Sequence, residues 1–384
     1  MKIKNALGFR PFYAVAGIFA TVAVGYWLFA YRGALPPGNY LNGIFWHGHE
    51  MVFGFAIAVM SGFLLTAVRN WTGLPTPTGF SLAALVLLWI LARVLVITGP
   101  AMLAALADVL FIPALMIAIA VPIFRSRNRR NYKVVLLLGL LAVSHVVYHT
   151  AFLGSFPSWL NHTSVIVAIE LITILYALVA GRVIPAFTRN AIPGSEPRHA
   201  MWLEVLSFGS LILIAAATVA SDWMAVPAML SMTLFVVAAV AHLFRLALWQ
   251  PQVTLSSPLL WMMPVSYSWL PAALLLRALA PTIGDQAWIH ALTTGAISGL
   301  MLAMMMRSTL GHTGRPLIAS RFDISAFLVL QLAAISRVVA AFVPAGAHGK
   351  LVVVSGLLWL LAFAAFLLRY LPMLTQPRID GRPG

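Results

Sequence analysis

Several residues in this chain have types and spacings that could do chemistry. Residues 46–50 read Trp-His-Gly-His-Glu, so His47, His49 and Glu50 stand together at the head of a long apolar run. Residues 144–149 read Ser-His-Val-Val-Tyr-His. His145 and His149 are therefore spaced i, i+4 and share one helix face, which suits two ligands on one metal ion or two imidazoles beside a haem. His162 and His290 each stand alone near the start of an apolar run, and each is either a further ligand or an interfacial hydrogen-bonding residue. Glu50 and Glu170 are candidate proton carriers, because a carboxylate buried among apolar side chains can exchange a proton near neutrality. Arg93 and Arg337 carry the fork that grips a carboxylate, including a haem propionate. Arg93 and Asp108 also flank a short turn, and the simplest reading pairs them with each other.

The elements that must position these groups follow from composition. The chain has 384 residues, 62% hydrophobic and only 9% charged, with a mean hydropathy of +0.96. A soluble domain carries about 25% charged residues. With so little polar surface, lipid must be the solvent. A helix crossing needs about 20 apolar residues, and stretches of that length recur from one end to the other. The expected fold is all-α, a polytopic integral membrane protein forming a single domain over residues 1–384. The opening MKIKNALGFRPFY leads into an apolar run without a small-residue cleavage pattern, and that run is read as the first span. Cysteine is absent, which excludes disulfides, iron–sulfur clusters and thiolate-held haem or copper.

Apolar runs bounded by Pro, Gly and charge predict twelve spans, near 12–30, 47–68, 80–98, 101–124, 133–153, 161–184, 200–220, 223–244, 257–280, 286–308, 322–343 and 350–371. Spans three and four are separated only by the short turn Gly99-Pro100. With these spans, 19 of the 24 basic residues fall on the side that holds the N-terminus, among them Lys2, Lys4, Arg10, the run Arg125–Lys133, Arg378 and Arg382. The positive-inside bias then makes both termini cytoplasmic. The same bias accounts for the formal net charge of +15 without nucleic acid as a partner.

Orientation turns the histidines into a depth map. His47, His49, His162 and His290 lie near the outer ends of their spans. His145 and His149 lie roughly 12 and 6 Å below the outer end of the fifth, at about 1.5 Å per residue. Glu50, Arg93, Asp108, Glu170 and Arg337 share that outer half. Ionisable groups inside a span usually face the bundle interior, so one polar chamber beneath the outer surface is expected. In the second span His47, Glu50, Gly54, Ala58 and Ser61 share a face, and Gly54, Ala58 and Gly62 form a small-residue ladder that brings a neighbouring helix close. The Met-rich run 301–307 lies at the opposite end and is read as packing.

Four stretches, GFRPFY (8–13), WHGHEMVFGFAIAVMSGFLLTAVRNWTG (46–73), RVIPAFTRN (182–190) and HALTTGAISGLMLAMMMRSTLGHTGRPL (290–317), resemble the NnrS family of haem- and copper-containing bacterial membrane proteins. The chain departs from the family pattern at Gly48 and Arg69, neither of them a ligand type. The resemblance implies twelve membrane helices in the bacterial inner membrane, bound haem and copper, and a role in nitric oxide metabolism or resistance to nitrosative stress. His47, His49, Glu50, His290 and His312 fall in its motifs. A catalytic version, reducing two NO to N2O, needs two protons and two electrons. Glu50 or Glu170 would carry the protons, and a quinol or separate redox protein would supply the electrons. The alternative is a non-catalytic protein that binds NO or protects against it. Transport is the weaker reading, since the polar cluster is off-centre and paired broken helices are not evident in the sequence.

Overall fold

The computed structural model describes residues 6–35 and 40–381; Lys2, Lys4 and Arg382 lie outside them. Twelve helices are long and apolar enough to cross a membrane, and no strand occurs among the described residues. They are α1 (Phe9–Tyr31), α2 (Gly43–Thr72), α3 (Gly79–Thr98), α4 (Ala101–Arg125), α5 (Arg129–Phe152), α6 (Leu160–Ala191), α7 (Met201–Ala220), α8 (Ala228–Leu248), α9 (Pro258–Ala278), α10 (Gln286–His312), α11 (Arg321–Phe342) and α12 (Ala345–Thr375). The protein is a multi-pass, all-α membrane protein.

The helix ends follow local backbone chemistry. Between α3 and α4, Gly99 and Pro100 are both extended, which ends one helix and starts the next in a single step. Pro100 has no N–H to continue a helix. α2 ends on Gly73, whose left-handed φ of +68° closes the last turn through its N–H to the Arg69 carbonyl at 2.9 Å. The eighth span starts at Ala228 and not near residue 223. Residues Ser221–Met224 close a turn on α7, and Pro227 is extended.

Neither α2 nor α10 is a plain α-helix. Each widens into a π-helical segment, Glu50–Ala56 in α2 and Ala291–Ser298 in α10. Both segments begin directly after a histidine, His49 and His290. Setting those histidines in register also aligns Gly54 with Gly295, and Thr72-Gly73-x-Pro75 with Thr313-Gly314-x-Pro316. Gly73 and Gly314 are both left-handed. This repeat is a feature that hydropathy alone does not expose.

The described residues divide into two compact units. The first holds the chain up to Ala168, with Ser308–Pro316 and the chain from Phe366 onward; the second holds Ile169–Arg307 and Leu317–Ala365. Within the first unit α1 lies against α2. A Cβ on Gly62 would meet the Tyr13 ring at 2.9 Å, and one on Gly54 would meet Phe19 at 2.8 Å. The small-residue ladder thus brings the two helices together, with Ala58 fully buried between its glycines. At the start of α1, buried Arg10 donates to the carbonyls of Met373, Leu374 and Gln376, the unpaired end of α12. In the second unit, Arg245 donates to both carboxylate oxygens of Glu204 at 2.8 Å. Met305 and Met306 are buried core.

Candidate metal centre

Three neighbouring helices of the first unit and the start of α2 build one polar site. Asn42 is extended and opens α2, so His49 arrives after two helical turns and Glu50 begins the π segment. The two side chains touch, with His49 Nδ1 2.9 Å from Glu50 Oε1. α3 brings Arg93, and the tight Gly99-Pro100 turn returns α4 so that Asp108 comes level with it. Arg93 donates through one Nη to Glu50 Oε1 at 2.7 Å and through the other to Asp108 Oδ1. α5 supplies His145 and His149 from one face.

Four ligand-type atoms converge inside this frame. His49 Nε2 lies 3.1 Å from His145 Nε2 and 3.3 Å from His149 Nε2, and the latter two are 3.1 Å apart. Asp108 Oδ2 lies 3.2, 3.5 and 3.4 Å from the Nε2 atoms of His49, His145 and His149. The edges are almost equal, so the four atoms mark a near-regular tetrahedron. The centre of such a figure is about 2.0 Å from each corner, the length of a metal–imidazole bond. All four residues are at most 1% exposed, so bulk water does not satisfy these atoms. Asp108 Oδ2 has no hydrogen-bond partner among the described residues and faces only the three nitrogens. The cluster has the shape of a site for one metal ion.

The model of the NnrS protein family matches residues 5–378, nearly the whole chain. The chain belongs to the NnrS family. No curated protein matches it.

The surroundings of this NnrS-family site hold the imidazoles in place. Metal-bound histidines commonly donate their second ring N–H to an oxygen, which fixes the tautomer that points a lone pair at the ion. His49 has Glu50 in that position, and His149 has the Tyr40 hydroxyl, 2.9 Å from its Nδ1. Burial, and after it the Asp108 carboxylate, pushes the Tyr40 phenol further above its ordinary range, so it stays a neutral O–H. His145 Nδ1 has no hydrogen-bond partner among the described residues; its ring stacks on Phe53 at 4.1 Å. Gly54 makes room for the carboxylate bridge, since a Cβ there would come within 3.0 Å of Arg93 Nη1 and 3.2 Å of Glu50 Oε2.

The other residues singled out in the sequence lie elsewhere. His47 is half-buried and stacks on Trp27 at 4.5 Å. His162 is exposed. His290 belongs to the second unit and bonds through Nδ1 with the Gln286 carbonyl oxygen, while Arg337 of that unit donates to the Gln286 side chain. Glu170, also in the second unit, accepts from Arg277 at 2.6 Å and Thr218 at 2.7 Å. His312 packs against Phe9. Of six candidate histidines the fold gathers three. The pairing of Asp108 with Arg93 expected from the short turn is present, and the second Asp108 oxygen is the fourth corner of the cluster. Tyr40 carried no signal, because it sits in a loop outside every periodic segment.

The cluster does not fit a haem. Its nitrogens converge on one point that a carboxylate also faces, which leaves no space for a macrocycle between opposed imidazoles. Arg93 is engaged by two protein carboxylates, Glu50 and Asp108.

Proposed function

We propose that this chain is a metal-binding protein of the bacterial inner membrane, with cytoplasmic termini, that acts in nitric oxide metabolism. Its ion would be held by His49, Asp108, His145 and His149. The near-regular tetrahedron of ligand atoms carries this reading, and family membership supports the link to nitric oxide. Copper is the favoured metal, since imidazole suits it and the resemblance to haem- and copper-containing proteins implies it. A copper ion held there supplies one-electron chemistry. The protein's own residues do the rest: Glu50 and Tyr40 orient two imidazoles, Arg93 fixes both carboxylates, and the apolar wall of Phe53 and Tyr148 excludes water.

Between turnover and protection, the closed ligand set favours protection. Structural metal sites use four protein ligands, whereas catalytic ones leave a position open. A protein that sequesters or buffers the metal, or binds NO with it, needs no vacancy at rest. The reductase reading requires one ligand to withdraw, and Asp108 is the candidate because Arg93 already holds its other oxygen. It also requires an electron donor, a quinol or a separate redox protein.

Elemental analysis of protein purified in detergent tests the site. About one copper per chain is expected, falling to background in a His145→Ala/His149→Ala double variant; equal copper in both would overturn it. Anaerobic NO consumption with a reduced quinol then decides the activity. Copper-loaded protein is expected to bind NO without sustained N2O release, and steady N2O production would replace protection by reduction.

A further inference from the structure

The buried charges around the cluster do not cancel. Glu50 and Asp108 contribute two negative charges and Arg93 one positive, all at most 5% exposed. The three imidazoles are neutral when their Nε2 lone pairs face an ion. The cage alone therefore carries a net charge of about −1, and uncompensated charge in an apolar interior is costly. A monovalent cation brings it to neutrality, while a divalent one leaves an excess of one positive charge.

We infer that Arg93 is a specificity-determining residue that sets the charge of the cage so that it selects Cu(I) over Zn(II). The inference rests on the proposed metal site and extends it. Both ions accept four tetrahedral ligands, so geometry does not separate them, whereas Cu(II) prefers tetragonal arrangements that these distances do not offer. A carboxylate ligand alone would favour the divalent ion. Arg93 opposes that preference by binding Asp108 Oδ1, which draws negative charge away from Oδ2, and by neutralising Glu50 behind His49. Its guanidinium lies among the cage oxygens and not at the surface, with its ring-facing side toward Trp89, so water screens it little.

The test is a charge ladder read as metal affinity, not activity. Full-length protein in detergent is titrated with Cu(I) and with Zn(II) against chromophoric chelators, and the ratio of Zn(II) to Cu(I) affinity is compared among variants. Arg93→Gln makes the cage more negative and is expected to raise the ratio by about tenfold or more; Glu50→Gln makes it less negative and is expected to lower it by a similar factor. Arg93→Lys keeps the charge but loses the fork, and its ratio is expected to stay within about threefold of the unmodified protein. If Arg93→Gln does not fold, Glu50→Gln and Arg93→Lys carry the comparison. A ratio that does not move along the ladder, in proteins that bind metal, overturns the inference and leaves the metal site standing. Failure of the unmodified protein to bind either ion removes the metal reading itself.

Discussion

His145 and His149 stand one helical turn apart on α5 with their Nε2 atoms 3.1 Å from each other. Two neutral imidazoles at that distance share a proton or share a cation. With His49 Nε2 and Asp108 Oδ2 on the same point, a cation accounts for all four atoms at once. Replacing either histidine by Ala removes one of four ligands. Copper content is expected to fall to less than about a tenth of the unmodified value, with the helical circular dichroism retained; full retention of copper would contradict the assignment.

His47 and His162 supply the complementary control. Neither reaches the cluster, so His47→Ala and His162→Ala should bind copper with unchanged stoichiometry. Loss of copper in His162→Ala, an exposed position, would mean that the ligand set has been misassigned.

Tyr40 acts on the ion only through His149. Outer partners of metal-bound histidines are worth about 10–100-fold in affinity. Tyr40→Phe keeps the ring and deletes the hydroxyl, and chelator competition should show copper binding weakened by about tenfold with stoichiometry intact. An unchanged affinity would reduce Tyr40 to packing.

Gly54 should tolerate no side chain. Its missing Cβ is the space used by Phe19, Arg93 and Glu50. Gly54→Ala is expected to cost about 1–3 kcal/mol, seen as a lower melting temperature in detergent and as a loss of copper. Gly346, with nothing near its Cβ position, provides the matched substitution, and equal effects at both sites would refute the crowding argument.

Glu170 lies in the second unit, outside the metal cluster. Its carboxylate is held by Arg277 and Thr218 in the second unit. Glu170→Gln leaves the half-buried Arg277 guanidinium with a neutral partner, which should lower thermal stability by about 1–2 kcal/mol without changing copper content. Should the unmodified protein prove to release N2O, a selective loss of that activity in Glu170→Gln, with stability intact, would support its reading as a proton carrier.

The twelve spans were legible because lipid imposes one strong rule on sequence, and that rule leaves about 20 apolar residues in each crossing. Ends were less legible. α2 begins at Gly43, before its apolar run, and α12 starts at Ala345, since a helix backbone continues where hydropathy has already stopped. In the site, the i, i+4 pair of α5 was visible from spacing alone. Depth was visible too, but it is one coordinate of three. His47, His162 and His290 share the expected depth of His49 and differ in where their side chains turn, which only packing decides. Asp108 was masked by its own good explanation, because the partner suggested by the short turn accounts for one of its two oxygens.

The π segments of α2 and α10 make the chain its own comparison. Both helices widen just after a histidine and both are followed within two residues by a left-handed glycine, yet the position of Glu50 is held by Ala291 in the second copy. The widened turn is thus architecture that the two copies have in common, and it does not bring a carboxylate with it. Chemistry here is an addition to a repeated framework: one copy keeps the acid that orients its histidine, and the other keeps only the shape.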